Sequence, residues 1–339
     1  MNLLVTGGAG FIGSNFIRFM IDKYPHYTIV NYDALTYAGN LENLASVEKH
    51  PNYHFIKGDI CDKTLVNDTV KNYAIDIIVN FAAESHVDRS ITEPDIFIKS
   101  NVLGTQVLLD AAKDHNLRKY VQISTDEVYG SLGETGYFTE ETPLAPNSPY
   151  SASKAGGDLL VRAYHETFGM NVNITRCSNN YGPFHFPEKL IPLMVTNALE
   201  GKDLPVYGDG LNVRDWLHVM DHASAIDLVI HNGRPGEVYN IGGHNERTNI
   251  TIVKLILELL GKSEEQIRFV EDRKGHDRRY AIDPTKLTNE LGWVPKYTFE
   301  TGIKETVQWY LDNKYWWSRI KNGDYMNYYE QQYGAKLHG

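Results

Sequence analysis

The apolar positions change period along the chain. In the first half, short runs such as Leu3–Thr6, Ile29–Asp33, Tyr53–Lys57, Ile75–Phe81, Tyr120–Ser124 and Val172–Arg176 are almost continuously apolar and often β-branched. That is the pattern of strands covered on both faces. Between them, Ile12–Asp22, Lys63–Lys71, Ile96–Asp114 and Tyr150–Phe168 carry the wider spacing of amphipathic helices. Strands alternating with helices predict βαβ units and an α/β fold with a doubly wound parallel sheet.

After Arg176 the chain becomes rich in Asn, Gly and Pro, at 179–187, 208–212 and 242–249. These loops separate a predicted strand at Val213–His218 from predicted helices at Glu188–Leu199, Asp221–His231, Ile250–Leu260, Pro284–Leu291 and Phe299–Tyr310. The expected division is a nucleotide-binding domain over 1–177, to which 213–240 returns. A smaller mixed α/β C-terminal substrate domain covers 178–212 and 241–335. The aromatic tail with Tyr315, Trp316, Trp317, Tyr325, Tyr328 and Tyr329 is expected to pack on the protein or on a second subunit.

The net charge of −10 excludes bulk attraction to nucleic acid or an anionic membrane, so an anionic substrate needs a local cationic site. The two cysteines, Cys61 and Cys177, give neither a disulfide framework nor a metal-binding CxxC, and no metal is expected. No apolar run reaches membrane-spanning length, and the chain opens without a signal-peptide pattern, so a cytoplasmic location is expected.

Gly7, Gly10 and Gly13 lie between the first strand and first helix, with Phe11 and Ile12 inside the motif. A bare glycine triplet also suits a tight turn. In this context it suits a pyrophosphate, which must approach backbone N–H groups at a helix N-terminus. Asp33 ends the second strand, where a carboxylate accepts from ribose hydroxyls and repels a 2′-phosphate. No cation follows it immediately, and Ala34, Leu35 and Thr36 complete the corner. This reads as a Rossmann-type site for NAD rather than NADP. Asp59 and Ile60, then Phe81, Ala82, Ala83 and Glu84, follow the third and fourth strands and fit the same cofactor.

Tyr150 and Lys154 share a helical face, and a nearby ammonium lowers a phenol pKa, so Tyr150 is a candidate base for a sugar hydroxyl. The pattern is weak alone, because Tyr53/Lys57 and Tyr310/Lys314 match it too. Asp126 and Glu127 leave the fifth strand together. Either they are a solvated loop pair, or an acid and a base with separated pKa values. Thr125 is placed to share a sugar oxygen with Tyr150.

TGGAGFIG at Thr6–Gly13, AAESHVDRS at Ala82–Ser90, STDEVYG at Ser124–Gly130, PYSASKAGGD at Pro149–Asp158, TRCSNNYGP at Thr175–Pro183 and GHDRRYAID at Gly275–Asp283 together resemble the extended short-chain dehydrogenase/reductase family. Within it, the chain resembles the branch of dTDP-glucose 4,6-dehydratases, with STDEVYG the specific part. The resemblance implies a nucleotide-sugar lyase that regenerates NAD, in deoxysugar biosynthesis leading toward rhamnose. It implies Tyr150 as the base at C4, Lys154 as its partner, Glu127 as the base at C5 and Asp126 as the acid at C6. It adds Ser100 and Asn180 on the cofactor side. Around the substrate it places Ser85, Asn179, Lys189, Leu190, Pro205, Val206, Tyr207, Arg214, Asn249, Asp272, Arg273 and His276. Taken singly, Arg214 and Arg273 are residues more often found as surface ion-pair partners, and His86 reads equally as a structural histidine or a sugar contact. Lys274 stands where similar enzymes often carry Pro. The resemblance also implies a homodimer joined through the helices at Ile96–Asp114 and Tyr150–Phe168. Two alternatives remain: a dehydratase of another nucleotide-sugar, and a 4-epimerase, which has no use for Asp126 and Glu127. A non-catalytic NAD-binding protein would need the glycines alone.

Overall fold

The computed structural model describes residues 1–272 and 275–321. Arg273, Lys274 and the tail positions Tyr325, Tyr328 and Tyr329 lie outside the described residues, as does the end of the expected second domain.

Twelve strands are formed among the described residues: β1 (Asn2–Thr6), β2 (Thr28–Asp33), β3 (Tyr53–Lys57), β4 (Ile77–Asn80), β5 (Lys119–Thr125), β6 (Val172–Cys177), β7 (Asn179–Tyr181), β8 (Leu204–Tyr207), β9 (Val213–His218), β10 (Val238–Ile241), β11 (Glu246–Thr248) and β12 (Ile267–Val270). Seven make one sheet in the order β3-β2-β1-β4-β5-β6-β10, and every pairing in it is parallel. Leu3, Leu4 and Val5 of β1 are all fully buried. Alternate residues face opposite cores: Leu3 and Val5 pack with Phe16, Ile17 and Ile226, and Leu4 with Val66, Leu108 and Val161. This two-sided burial is why the strand reads as a continuous apolar run. The strand order reverses between β1 and β4, and in such sheets ligands bind at the carboxyl ends of the strands beside that reversal.

The expected doubly wound sheet is therefore present, with differences in detail. Of segment 213–240, the strand Val238–Ile241 joins the large sheet and the helix Val219–Asn232 packs against the helix Phe11–Lys23. The strand Val213–His218 does not join it; it pairs with β7 and β11 in a three-stranded sheet. That sheet and the β8/β12 pair share a second core with the helices Leu190–Glu200, Asn249–Leu260 and Phe299–Asp312. The single helix expected over Ile96–Asp114 is a helix at Pro94–Ile98, a π turn at Lys99–Gly104 and a helix at Thr105–Asp114. The wider turn occurs where Asn101 bonds both backbone groups of Glu84, its Oδ1 accepting from the N–H and its Nδ2 donating to the carbonyl, each at 2.9 Å. Trp316 and Trp317 are buried in the second core.

Candidate active site

A cavity of about 400 Å³ opens at the carboxyl ends of β1, β2, β4, β5 and β6. Its floor is the glycine turn. Gly7 has φ +67°, and a Cβ there would lie 2.6 Å from the Ala82 nitrogen; one on Gly13 would lie 2.4 Å from the Gly7 carbonyl. Gly10 caps the first helix without a side-chain bond, so the first-turn N–H groups face the cavity with no side chain competing for them. That is a cradle for pyrophosphate. Asp33 Oδ2 accepts from Ala9 N at 2.9 Å and Oδ1 from Leu35 N at 2.8 Å. Burial raises its pKa and these two N–H groups pull it back. Leu35 does not line the cavity. It sits at φ +53° with its N–H on Asp33, so it shapes the ribose corner through its backbone.

The other residues expected at the cofactor do line the cavity: Gly7, Gly10, Phe11, Ile12, Gly13, Asp33, Ala34, Thr36, Asp59, Ile60, Phe81, Ala82, Ala83, Glu84, Ser100, Tyr150, Lys154 and Asn180. The glycines admit a backbone-hugging diphosphate and Asp33 a ribose diol, so the residues present fit NAD.

At the far end, Thr125, Asp126, Glu127, Tyr150 and Lys154 converge on the same cavity. Thr125 starts a four-residue 3₁₀ helix, Asp126–Tyr129, its hydroxyl accepting from Glu127 N at 3.2 Å. Gly130 ends it at φ +87°, where a Cβ would lie 2.4 Å from the Ala145 carbonyl. Asp126 is 1% exposed and its Oδ2 has no hydrogen-bond partner. Burial, then Glu127, then Asp215 hold its carboxyl well above the usual range, with Arg214 opposing. Glu127, one residue on, is only half-buried. Adjacent carboxylates thus occupy different environments, the arrangement that separates an acid from a base.

The Lys154 ammonium donates to the Ile123 carbonyl at 2.7 Å, and burial lowers its pKa. Burial, followed by Glu127 and Cys177, pushes the Tyr150 phenol well up, and the Thr125 hydroxyl is the group that opposes this. Without the cofactor's positive ring, burial outweighs the groups that would lower the phenol pKa.

Of the expected substrate contacts, Ser85, Asn179, Lys189 and Leu190 line the cavity, with Lys189 Nζ donating to the Ser85 carbonyl at 3.0 Å. Pro205, Val206, Tyr207, Arg214, Asn249, Asp272 and His276 are not among the residues lining it. They lie in the second lobe. Val206 is turned into that lobe's core. Arg214 donates to the Val213 and Asp277 carbonyls at 2.8 and 3.0 Å. Tyr207 reaches Asp88 at 3.2 Å, and His276 and Asp272 pair at 2.5 Å. Asn249 Oδ1 is buried without a partner. His86 is buried and caps the helix Val87–Thr92, its Nδ1 accepting from Arg89 N, and its Nε2 lies 3.5 Å from Glu188.

Sequence reasoning missed Tyr37, Cys177, Ser178, His185, Glu188 and Trp216, all of which line the cavity. Tyr37 donates to Glu188 at 3.2 Å, and His185 stacks on Phe11 at 4.1 Å. The Gly/Pro-dense loop before Lys189 was the one available signal for His185 and Glu188.

Residues 4–306 match the family model described as GDP-mannose 4,6 dehydratase. The chain is 56% identical over 340 residues to the dTDP-glucose 4,6-dehydratase of Xanthomonas campestris pv. campestris (strain B100), covering 95% of this chain and 96% of that protein. A crystal structure of dTDP-glucose 4,6-dehydratase from Bacillus anthracis in complex with NAD superposes with a TM-score of 0.90 at 60% identity, covering 95% of this chain and all of that one. One from Streptomyces venezuelae with NAD bound superposes at 0.92 with 52% identity, again covering 95% of this chain and all of that one.

Proposed function

The chain belongs to the dTDP-glucose 4,6-dehydratase family, and we propose that it converts dTDP-glucose to dTDP-4-keto-6-deoxyglucose and water, as an NAD-dependent hydro-lyase. The observation that carries the reading is the Asp126/Glu127 turn, which brings two carboxyl groups of unlike environment into one cavity with Tyr150 and Lys154. A 4-epimerase has no proton to give to a leaving hydroxyl and no proton to take from C5.

The backbone of Gly7–Gly13 would hold the cofactor's pyrophosphate and Asp33 its ribose, with Asp59 and Ile60 toward the adenine and Phe81–Glu84, Ser100 and Asn180 toward the nicotinamide; all of them line the cavity. When bound, NAD would supply reversible hydride chemistry and end each turnover as it began, the C4 hydrogen reappearing at C6 while Glu127 gives a proton back to C5. Tyr150 accepts the proton of the C4 hydroxyl, with Thr125 hydrogen-bonded to the same oxygen. The C4 ketone acidifies C5, and Glu127 removes that proton. Asp126, kept protonated by burial and by its neighbour, gives its proton to the C6 hydroxyl, which leaves as water. Lys189, Arg214, Arg273 and His276 supply cationic or donor groups for the nucleotide diphosphate.

We further propose a homodimer in the cytoplasm. Ile98 and Leu103 on the segment Pro94–Asp114, and Leu159 and Phe168 on the helix Pro149–Phe168, are apolar side chains about half exposed, on the two helices expected to pair. Cys61 and Cys177 are free thiols, consistent with a reducing compartment. Among the described residues no helix is long and apolar enough to cross a membrane. The product is a precursor for deoxysugars such as rhamnose.

The test is isotopic. Substrate deuterated at C4 should give product deuterated at C6 without crossover between molecules, and turnover in deuterated water should place deuterium at C5. Label retained at C4 with inversion there would establish the epimerase instead. A panel of nucleotide-glucoses read by product mass checks the base.

A further inference from the structure

The helix that carries Tyr150 and Lys154 also carries Asp158, one turn beyond Lys154 and on the same face. Asp158 is 1% exposed, and its Oδ2 accepts from Ser124 Oγ at 3.0 Å and from Arg176 Nε at 2.9 Å. Arg176, itself buried on β6, donates from Nη1 to the Tyr129 hydroxyl at 3.0 Å. Tyr129 in turn donates to Asn240 Oδ1 on β10 at 2.8 Å. Tyr129 is the last residue of the 3₁₀ helix on which Asp126 and Glu127 sit. One unbroken chain of buried hydrogen bonds therefore runs from the Tyr150/Lys154 helix, across β6, to the end of the Asp126/Glu127 turn.

A buried ion pair of this kind is a poor device for stability, because the desolvation of both charges offsets most of their attraction. Its place between the two elements fits a role in registry. The oxidising pair and the eliminating pair sit on different elements, yet both must address one hexose ring; Val128 and Tyr129 of the turn pack with Ala155 of the helix in one apolar cluster, and the polar chain adds a directional tie to that non-directional contact.

We propose that the Asp158–Arg176–Tyr129 chain is a positioning brace that sets the Asp126/Glu127 turn against the Tyr150/Lys154 helix, so that its loss uncouples elimination from oxidation. None of the three touches the reacting atoms; they act through the turn. The inference rests on the dehydratase reading given above.

The test is Tyr129→Phe, which removes one hydroxyl and keeps the ring that stacks on Phe138 at 5.0 Å. Oxidation at C4 depends on Tyr150 and Lys154, whose helix keeps its own capping box and its bond to Ile123. Bound NAD and the substrate KM should therefore stay at wild-type values. A shift of the turn by a fraction of an ångström should lower kcat by about 10–100-fold. With oxidation intact and proton removal slowed, reduced cofactor should accumulate during steady state, visible in its near-ultraviolet absorbance, and deuterium uptake at C5 should slow in parallel. A lower melting temperature with unchanged kcat and oxidised cofactor would mean a structural role and would overturn the proposal, as would a fall in kcat without accumulation of reduced cofactor. Should Tyr129→Phe not fold, Ser124→Ala removes a bond at the other end of the chain and should give the same reduced-cofactor signature at smaller amplitude; its absence overturns the proposal equally. Failure of the wild-type protein to make the 4-keto-6-deoxy product would overturn the functional reading, and the brace with it. Failure of the brace alone leaves wild-type turnover intact.

Discussion

Replacing Asp126 by Asn should stabilise the protein while lowering its turnover, and both effects follow from the surroundings of this carboxyl. The group is 1% exposed, its Oδ2 has no hydrogen-bond partner, and Oδ1 receives a long bond from Thr125 at 3.3 Å. Burial, Glu127 and Asp215 hold its pKa well above the ordinary range in the folded protein. In the unfolded chain it titrates near the usual value of about 3.9. Between those two values the folded state keeps a proton that the unfolded state has released. Stability therefore falls as pH rises through this window and levels off above the folded pKa. Asn does not titrate, so the melting temperature of Asp126→Asn relative to wild type should be least favourable near about pH 4 and improve toward neutrality. Each unit of elevation corresponds to about 1.4 kcal/mol. In a chain of this size 1 kcal/mol moves Tm by no more than about 2–4 °C. Thermal unfolding of both proteins, at equal cofactor content and from about pH 4 to pH 8, reads the effect. Turnover should fall by about 10²–10⁴-fold, the usual contribution of a general acid. It should fall less on a 6-fluoro analogue, whose leaving group needs little protonation. A Tm difference that is flat across the pH range, or of opposite slope, would refute this account of the carboxyl. Equal losses on both substrates would remove Asp126 from the acid role.

Gly7→Ala should lose bound NAD and at least about 2 kcal/mol of stability, from the left-handed backbone and the close approach to Ala82, whereas Gly133→Ala, facing open space, should be near neutral; cofactor content and Tm measure both. Tyr150→Phe should leave the cofactor oxidised when substrate is added, while Glu127→Gln should leave it reduced with deuterium uptake at C5 suppressed; near-normal dehydration by Glu127→Gln would show that another group is the base. Leu159→Arg places a charge on a half-exposed apolar position and should shift the mass in light scattering toward monomer if that helix pairs with a second copy.

Legibility in the sequence followed the physics of each element. β1 and β4 announce themselves because strands buried on both faces are runs of apolar residues, and the glycine turn because close backbone approach tolerates nothing larger. Asp126 and Glu127 were legible because two adjacent carboxyl groups at a strand end are costly without a purpose. β10 was missed because Val238–Ile241 is four residues long and joins the sheet by a crossover, which no local pattern encodes. β8 was hidden by Pro205, tolerated because its two-stranded partnership leaves it an edge. The wider turn inside the helix over Ile96–Asp114 coincides with a bond between Asn101 and Glu84, seventeen positions away, which no local pattern encodes. Helical spacing brings Lys154 to the correct face, but it says nothing of Ile123, whose carbonyl takes the ammonium. Cys177 and Trp216 reach the cavity by tertiary placement alone.

The two carboxyl groups assigned to elimination are neighbours in the chain, on a single short turn bounded by Thr125 and Gly130. Most catalytic pairs depend on the meeting of distant segments, so altering one partner disturbs the frame that holds the other. On the proposed assignment both carboxyl groups of elimination sit in a cassette of four residues, which is tied through Tyr129 to Arg176 on the sheet and Asp158 on the tyrosine helix. A fold divided in this way can change its reaction without changing its architecture. On that assignment, exchanging the turn together with its ties to Arg176 and Asp158 should trade bond cleavage for simple redox chemistry at C4, which makes the turn and its brace the unit to graft when a new outcome is wanted from the same scaffold.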